Sequence, residues 1–104
     1  MKKLDLVLPK KKGPFYLRKL NLSEALDYMS KVSGLGREAQ ILKLVQISLV
    51  TDDGKSVYTV QQKKKMELDI GGVRLTLLGI EAEKENDFAA FASLSESIEA
   101  AEKN

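Results

Sequence analysis

The chain has 104 residues, 17 of them lysine or arginine and 15 aspartate or glutamate, for a net charge of +2, and it contains no histidine and no cysteine. That length predicts one domain with a single modest core, burying about two thirds of the surface that the unfolded chain exposes. A composition without His or Cys excludes the common zinc sites, Ser-His-Asp and Cys-His nucleophile systems, iron–sulfur sites and disulfide frameworks, so a non-enzymatic protein with no cofactor is expected.

Met1-Lys2-Lys3 is followed only by Leu4 to Leu8, a run broken by Asp5 and closed by Pro9 and three lysines, too short for a secretory signal. The longest uncharged stretches, Leu44 to Thr51 and Phe88 to Ser95, hold eight residues each. Spanning a bilayer takes about 18 to 20. The expectation is a cytoplasmic protein without a membrane partner.

Leu4, Leu6 and Leu8 alternate with Asp5 and Val7, and a second extended run, Phe15 to Leu20, follows the loop Pro9 to Pro14. This predicts an N-terminal β-hairpin with a basic tip at Lys10, Lys11 and Lys12. A helix follows, with Ser23 as its cap, Glu24 and Asp27 near its positive end, and Leu22, Ala25, Leu26, Met29 and Val32 on one face. Ser33-Gly34-Leu35-Gly36 ends it, since glycine accepts the left-handed conformation at a helix C-terminus. Arg37 to Val50 predicts a second helix, antiparallel to the first, with Ile41, Leu42, Leu44, Val45 and Leu49 inward and Lys43 and Gln46 opposite.

Thr51-Asp52-Asp53-Gly54-Lys55 is a turn signal, followed by a short extended Ser56-Val57-Tyr58. Thr59-Val60-Gln61-Gln62 matches a capping box at a helix start. Residues 66–78 then support two readings. Met66, Leu68 and Ile70 before Gly71-Gly72, and Val73, Leu75 and Leu77 after it, alternate as a hairpin with a two-residue turn would, and local pattern favours that form. The competing reading is a helix over 60–68, a Gly-Gly break, and a helix from Val73 to Glu83 with Val73, Leu77 and Ile80 on one stripe. Residues 1–86 are expected to form the globular domain. Residues 87–104 are expected as an acidic C-terminal helix, with Phe88, Phe91, Leu94, Ile98 and Ala101 at helical spacing, or as a partly disordered tail. The charge is polarised: residues 1–20 carry net +6 and residues 79–104 net −5, which suits head-to-tail self-association or steering toward an acidic partner.

Motifs that carry chemistry elsewhere lack their context here. Gly34-Leu35-Gly36-Arg37-Glu38-Ala39 fits a permissive dinucleotide fingerprint but follows a helix where that motif needs a strand. Asp52-Asp53-Gly54 lacks the alternate spacing and the distal Glu of a calcium loop. Lys10, Lys11 and Lys12 together with Lys63, Lys64 and Lys65 form a basic patch that would attract phosphate, with few arginines and aromatic platforms to read nucleic acid.

The order of features supplies a further expectation. An extended start leading into Leu17-Arg18-Lys19-Leu20-Asn21-Leu22-Ser23-Glu24-Ala25-Leu26, a helix pair, and then Ile47-Ser48-Leu49-Val50-Thr51-Asp52-Asp53-Gly54-Lys55-Ser56-Val57-Tyr58-Thr59 resembles the tail assembly chaperones of long-tailed bacteriophages, over about residues 15–85. The resemblance implies a mainly α-helical fold, with residues 60–83 helical, although α+β stays open from the alternating MELDIGGVRLTL segment. It also implies a non-enzymatic role in tail morphogenesis in the cytoplasm of a bacterial host: the chaperone coats the helical tape measure protein before tail-tube subunits polymerise around it, and a ribosomal frameshift commonly extends part of the product. The partners would be the tape measure protein, the tail-tube protein and further copies of the chain. Leu26, Met29, Ile41, Val45 and Leu49 are expected as scaffold, and Tyr16, Tyr28, Ile47, Phe88 and Phe91 as exposed partner-binding residues. The alternatives are a small nucleic-acid-associated module using the two lysine clusters, or a generic protein-interaction adaptor.

Overall fold

The computed structural model describes residues 1–88. Three short strands, β1 (Lys2–Leu4), β2 (Phe15–Leu17) and β3 (Leu49–Thr51), form an antiparallel sheet in the order β1-β2-β3. Four helices accompany it: α1 (Leu22–Val32), α2 (Arg37–Ser48), α3 (Lys63–Ile70) and α4 (Gly72–Glu85). The fold is mainly α with an N-terminal hairpin, as the sequence implies. The segment expected as a C-terminal helix or tail, including Phe91, lies outside the described residues beyond Phe88.

In β2, Phe15 and Leu17 face the core while Tyr16 points to the other side and is half-buried. Lys2 pairs with Leu17 and Leu4 with Phe15, so the hairpin forms on fewer residues than the alternation suggests. Leu6 and Leu8 leave the ladder yet are buried, which is why their spacing reads as strand: it records core contact rather than pairing. The second helix was expected to run through Val50, but α2 stops at Ser48 and Leu49–Thr51 becomes β3, with Phe15 opposite Thr51 and Leu17 opposite Leu49. Pairing with the free edge of β2 outweighs three more helical residues, and Leu49 and Val50 are fully buried as a result. The turn at 51–55 forms as expected, with Gly54 at φ +82° and its amide bonded to the Thr51 carbonyl.

The cap of α1 is Asn21 rather than Ser23. Asn21 Oδ1 accepts from the Glu24 amide at 2.9 Å, and Glu24 returns the bond to the Asn21 amide at 3.0 Å, forming the reciprocal capping box. Arg18 forks onto the same carboxylate, with both contacts at 2.7 Å. The inward face also differs from the expected one. Tyr28 and Val32 are buried and Met29 partly so, whereas Leu22 and Leu26 stay exposed, contrary to the expected stripe and scaffold. In α2, Gln46 is buried rather than solvent-facing: its Nε2 donates to the Tyr58 carbonyl at 3.1 Å and anchors the segment that runs alongside β3, while its Oε1 has no partner among the described residues.

Residues 66–78 are helical, against the hairpin that local pattern favours. The Thr59/Gln62 capping box forms at a 3-10 turn (Val60–Gln62) that leads into α3. Gly71, at φ +86°, closes α3 by donating to Glu67 O and begins α4 by accepting from the Leu75 amide. Leu75, Leu78, Gly79 and Ala82 are the buried stripe of α4, at i, i+3, i+4 and i+7. Two of the four are small, so hydrophobic alternation could not register them.

At Gly79 a Cβ would stand 2.8 Å from Ile41 Cγ2 and 3.3 Å from its Cβ. A β-branched side chain cannot swing its Cγ2 clear without moving the backbone. Gly79→Ala is therefore expected to destabilise the fold by about 1–3 kcal/mol despite the better helix propensity of alanine, and adding Ile41→Ala should make the two losses less than additive. Urea denaturation of the single and double variants measures both. A second expectation concerns acid. Arg18 and the Asn21 amide hold the Glu24 carboxyl down at about 2. Its stabilisation is complete above the unfolded carboxylate range near 4.5 and disappears as pH falls toward 2. Glu24→Gln should cost about 1 kcal/mol at neutral pH. Denaturation curves taken at falling pH should show variant and parent converging at the acid end.

Candidate interaction site

The residues expected to meet a partner are dispersed by the fold. Tyr28 is not exposed: it is 5% accessible, its hydroxyl donates to the Gln40 carbonyl at 3.3 Å, and its ring stacks on Phe88 with centroids 5.3 Å apart. Burial, with the Glu83 carboxylate nearby, raises its phenol above the ordinary range. Phe88 and Ile47 pack partly buried against the core, and Tyr16 lies in the middle strand. Their apolar character is used for cohesion within the chain. Among the lysines, Lys11 is also engaged internally. Its Nζ donates to the Val57 carbonyl at 3.2 Å and stands 4.8 Å from the Tyr58 ring centroid. The Tyr58 hydroxyl in turn donates to Asp69 of α3 at 2.8 Å; burial first, then that carboxylate, raises its phenol strongly. Lys10, Lys12, Lys64 and Lys65 are exposed, and Lys63 is half-buried.

A largely apolar concavity lies elsewhere, between the first half of α2, Glu67 of α3 and the first half of α4. It has a volume of about 560 Å³, within the range of roughly 300–1,000 Å³ typical of ligand sites. Ile41, Leu42, Val73 and Leu75 supply its apolar lining, with Glu38 and Glu67 among its polar residues. Neither carboxylate makes an ion pair among the described residues, whereas Arg37 is held by a two-pronged bridge to Glu83 that ties α2 to the far end of α4.

Helix α4 extends this surface. Opposite its buried stripe it presents Val73, Leu77 and Ile80, at 79%, 58% and 36% accessibility, spaced i, i+4 and i+7. Leu77 also borders a smaller hollow of about 200 Å³ with Leu4, Leu6 and Leu78, beside the bridge from Lys2 to Glu81. The helix thus has two apolar faces, one in the core and one facing solvent. In the sequence the solvent-facing stripe is visible only under the helical reading of residues 73–83. The groove beside it has no sequence signal, because it exists only once α2 and α4 pack. Among the described residues, no helix is long and apolar enough to cross a membrane.

A surface stripe that the fold does not use should be separable from stability. Val73→Gln and Leu77→Gln are each expected to change unfolding free energy by no more than about 0.5 kcal/mol. Leu75→Ala, on the buried face of the same helix, should cost about 2–5 kcal/mol. Thermal and urea unfolding of the three variants distinguishes the faces.

Comparison of the chain with protein-family models, with curated proteins and with solved structures gives no match.

Proposed function

We propose that the chain is a non-enzymatic tail assembly chaperone of a phage or prophage, which holds helical segments of the tape measure protein until tail-tube subunits assemble around them. The reading joins the resemblance of residues 15–85 to one structural observation. A groove of about 560 Å³ with Ile41, Leu42, Val73 and Leu75 in its lining adjoins the exposed Val73–Leu77–Ile80 stripe of α4. An amphipathic helix laid into such a groove buries its apolar positions at i, i+3, i+4 and i+7, which is the helix-in-groove mode of recognition. A chaperone for a long helical protein needs this kind of contact, repeated by successive copies along the partner.

The nucleic-acid alternative draws less support. Of its two lysine clusters, Lys11 is committed to Val57 and Tyr58, and no arginine fork accompanies the rest.

The reading requires a gene for a very long helical protein just downstream, and the test is co-expression with its product as the tape measure protein. The chain should keep that protein soluble and co-elute with it, and Val73→Glu with Leu77→Glu should abolish the complex while leaving the circular dichroism spectrum of the free chain unchanged. A tape measure protein equally soluble without the chain, or a complex indifferent to the two substitutions, would overturn the reading.

A further inference from the structure

A second hollow lies on the opposite flank of Leu42, which borders both. Lys31 of α1, Lys43 of α2 and Lys63 of α3 surround it, and Val32, Leu35, Ala39 and Leu42 supply its apolar lining. The three lysines come from three helices and lie far apart in the sequence; of them only Lys63 belongs to a lysine run, and nothing in the sequence joins it to Lys31 and Lys43. Their convergence is also registered chemically: the Lys43 ammonium is shifted down, first by partial burial and then by Lys31 and Lys63, with Asp27 opposing. Asp27 is taken by Lys31 at 2.9 Å, and among the described residues neither Lys43 nor Lys63 has an ion-pair partner.

Size and lining narrow the ligand. The hollow holds about 220 Å³, below the roughly 300–1,000 Å³ of sites that enclose a small molecule, so it suits one inserted side chain rather than a whole ligand. An inorganic anion would leave the apolar lining unused. A nucleic acid would seek stacking platforms, and no aromatic residue lines this hollow. Leu35, half exposed at its edge, gives an inserted apolar group further contact.

We propose that this hollow is a docking site for an acidic protein segment, which inserts one leucine- or phenylalanine-sized side chain between Val32, Leu35, Ala39 and Leu42 while flanking carboxylates meet Lys43 and Lys63. The site is separate from the α2–α4 groove and does not depend on the identity of that groove's occupant. It gives the chain a second binding surface, bordered like the groove by α2.

The test uses the full chain and fluorescein-labelled synthetic peptides at low ionic strength, read by fluorescence anisotropy. One peptide carries a central Phe flanked by glutamates; the others replace Phe with Ser or the glutamates with lysines. The Phe–Glu peptide should bind, and the Phe→Ser peptide should bind measurably less. A Lys43→Glu, Lys63→Glu variant should weaken the acidic peptide roughly tenfold and bind the lysine peptide better than the parent does. Lys43→Gln with Lys63→Gln, checked by circular dichroism, gives an intermediate loss and guards against a folding defect of the charge-reversed form. Absence of binding by the acidic peptide, equal binding by parent and variants, or full competition by millimolar inorganic phosphate or by a short RNA with no effect of the Phe→Ser change would each overturn the proposal.

Discussion

The contact that the rest of the molecule depends on is the meeting of Gly79 with Ile41. With no side chain at position 79, α4 lies close enough to α2 for Ile41 to occupy the space that a Cβ would fill. That closeness lets Leu75, Leu78 and Ala82 reach the same core as Leu44 and Val45. It also determines what α4 turns away from the core. A helix seated on such a narrow stripe leaves Val73, Leu77 and Ile80 on its opposite side, and they have no role in holding the helix down. The exposed stripe is therefore a consequence of how the helix is anchored, and its apolar character calls for another explanation. The proposed partner would supply one, since polar residues at those positions would serve a solvated helix equally well.

Polar contacts fix the frame around that pair of helices. Arg18 follows β2 and forks onto Glu24, which also closes the capping box of α1, so strand end and helix start share one carboxylate. Two residues after Arg18, the Leu20 amide donates to Asn86 Oδ1 at 2.7 Å, while the Asn86 amide nitrogen of the side chain donates to the Ala82 carbonyl at 2.8 Å. The end of α4 is thereby tied to the segment between the sheet and α1, sixty-six positions away in sequence. At the other end of α2, Gln46 holds the Tyr58 carbonyl, and Tyr58 holds Asp69 of α3. These bonds connect the elements bordering the groove, some to backbone groups and some between side chains, while Gln46 Oε1 and Ser48 Oγ stay buried without a partner among the described residues.

Local signals were legible in the sequence wherever the physics is local. Gly34 and Gly54 adopt the positive φ that their turns suggest, and Thr59 with Gln62 forms the expected box. Signals failed where a distant partner decides. Leu49 and Val50 fit a helical face until β2 offers an unpaired edge. One local signal points elsewhere than expected: Asn21 prevails over Ser23 as the cap because Glu24 stands three residues after it and Arg18 supports the pair. Alternation at 66–78 misleads because half of the buried stripe of α4 is glycine and alanine, while Leu68, Val73 and Leu77, which complete the apparent strands, are exposed. Tyr28 falls off the apolar face that Leu22 and Leu26 suggest, yet it is buried and those two leucines are exposed. The site was less legible than the fold for the same reason: the groove and the lysine-lined hollow are each assembled from three helices.

Leu42 occupies a particular place in this arrangement. It borders an apolar groove that includes Glu38 and Glu67 on one side and a smaller hollow lined by Lys31, Lys43 and Lys63 on the other. A net charge of +2 thus conceals a hollow bordered by three lysines beside a groove whose charged lining, Arg37, Glu38 and Glu67, is mixed. Charge of this kind contributes little to folding stability, because pairs at the surface are screened and cost side-chain entropy to hold. Its larger effect is on which partner approaches and in what orientation. Occupied as proposed, the groove and the lysine-bordered hollow would let a single copy engage two chemically different segments at once, because each draws on side chains that the other does not, apart from Leu42.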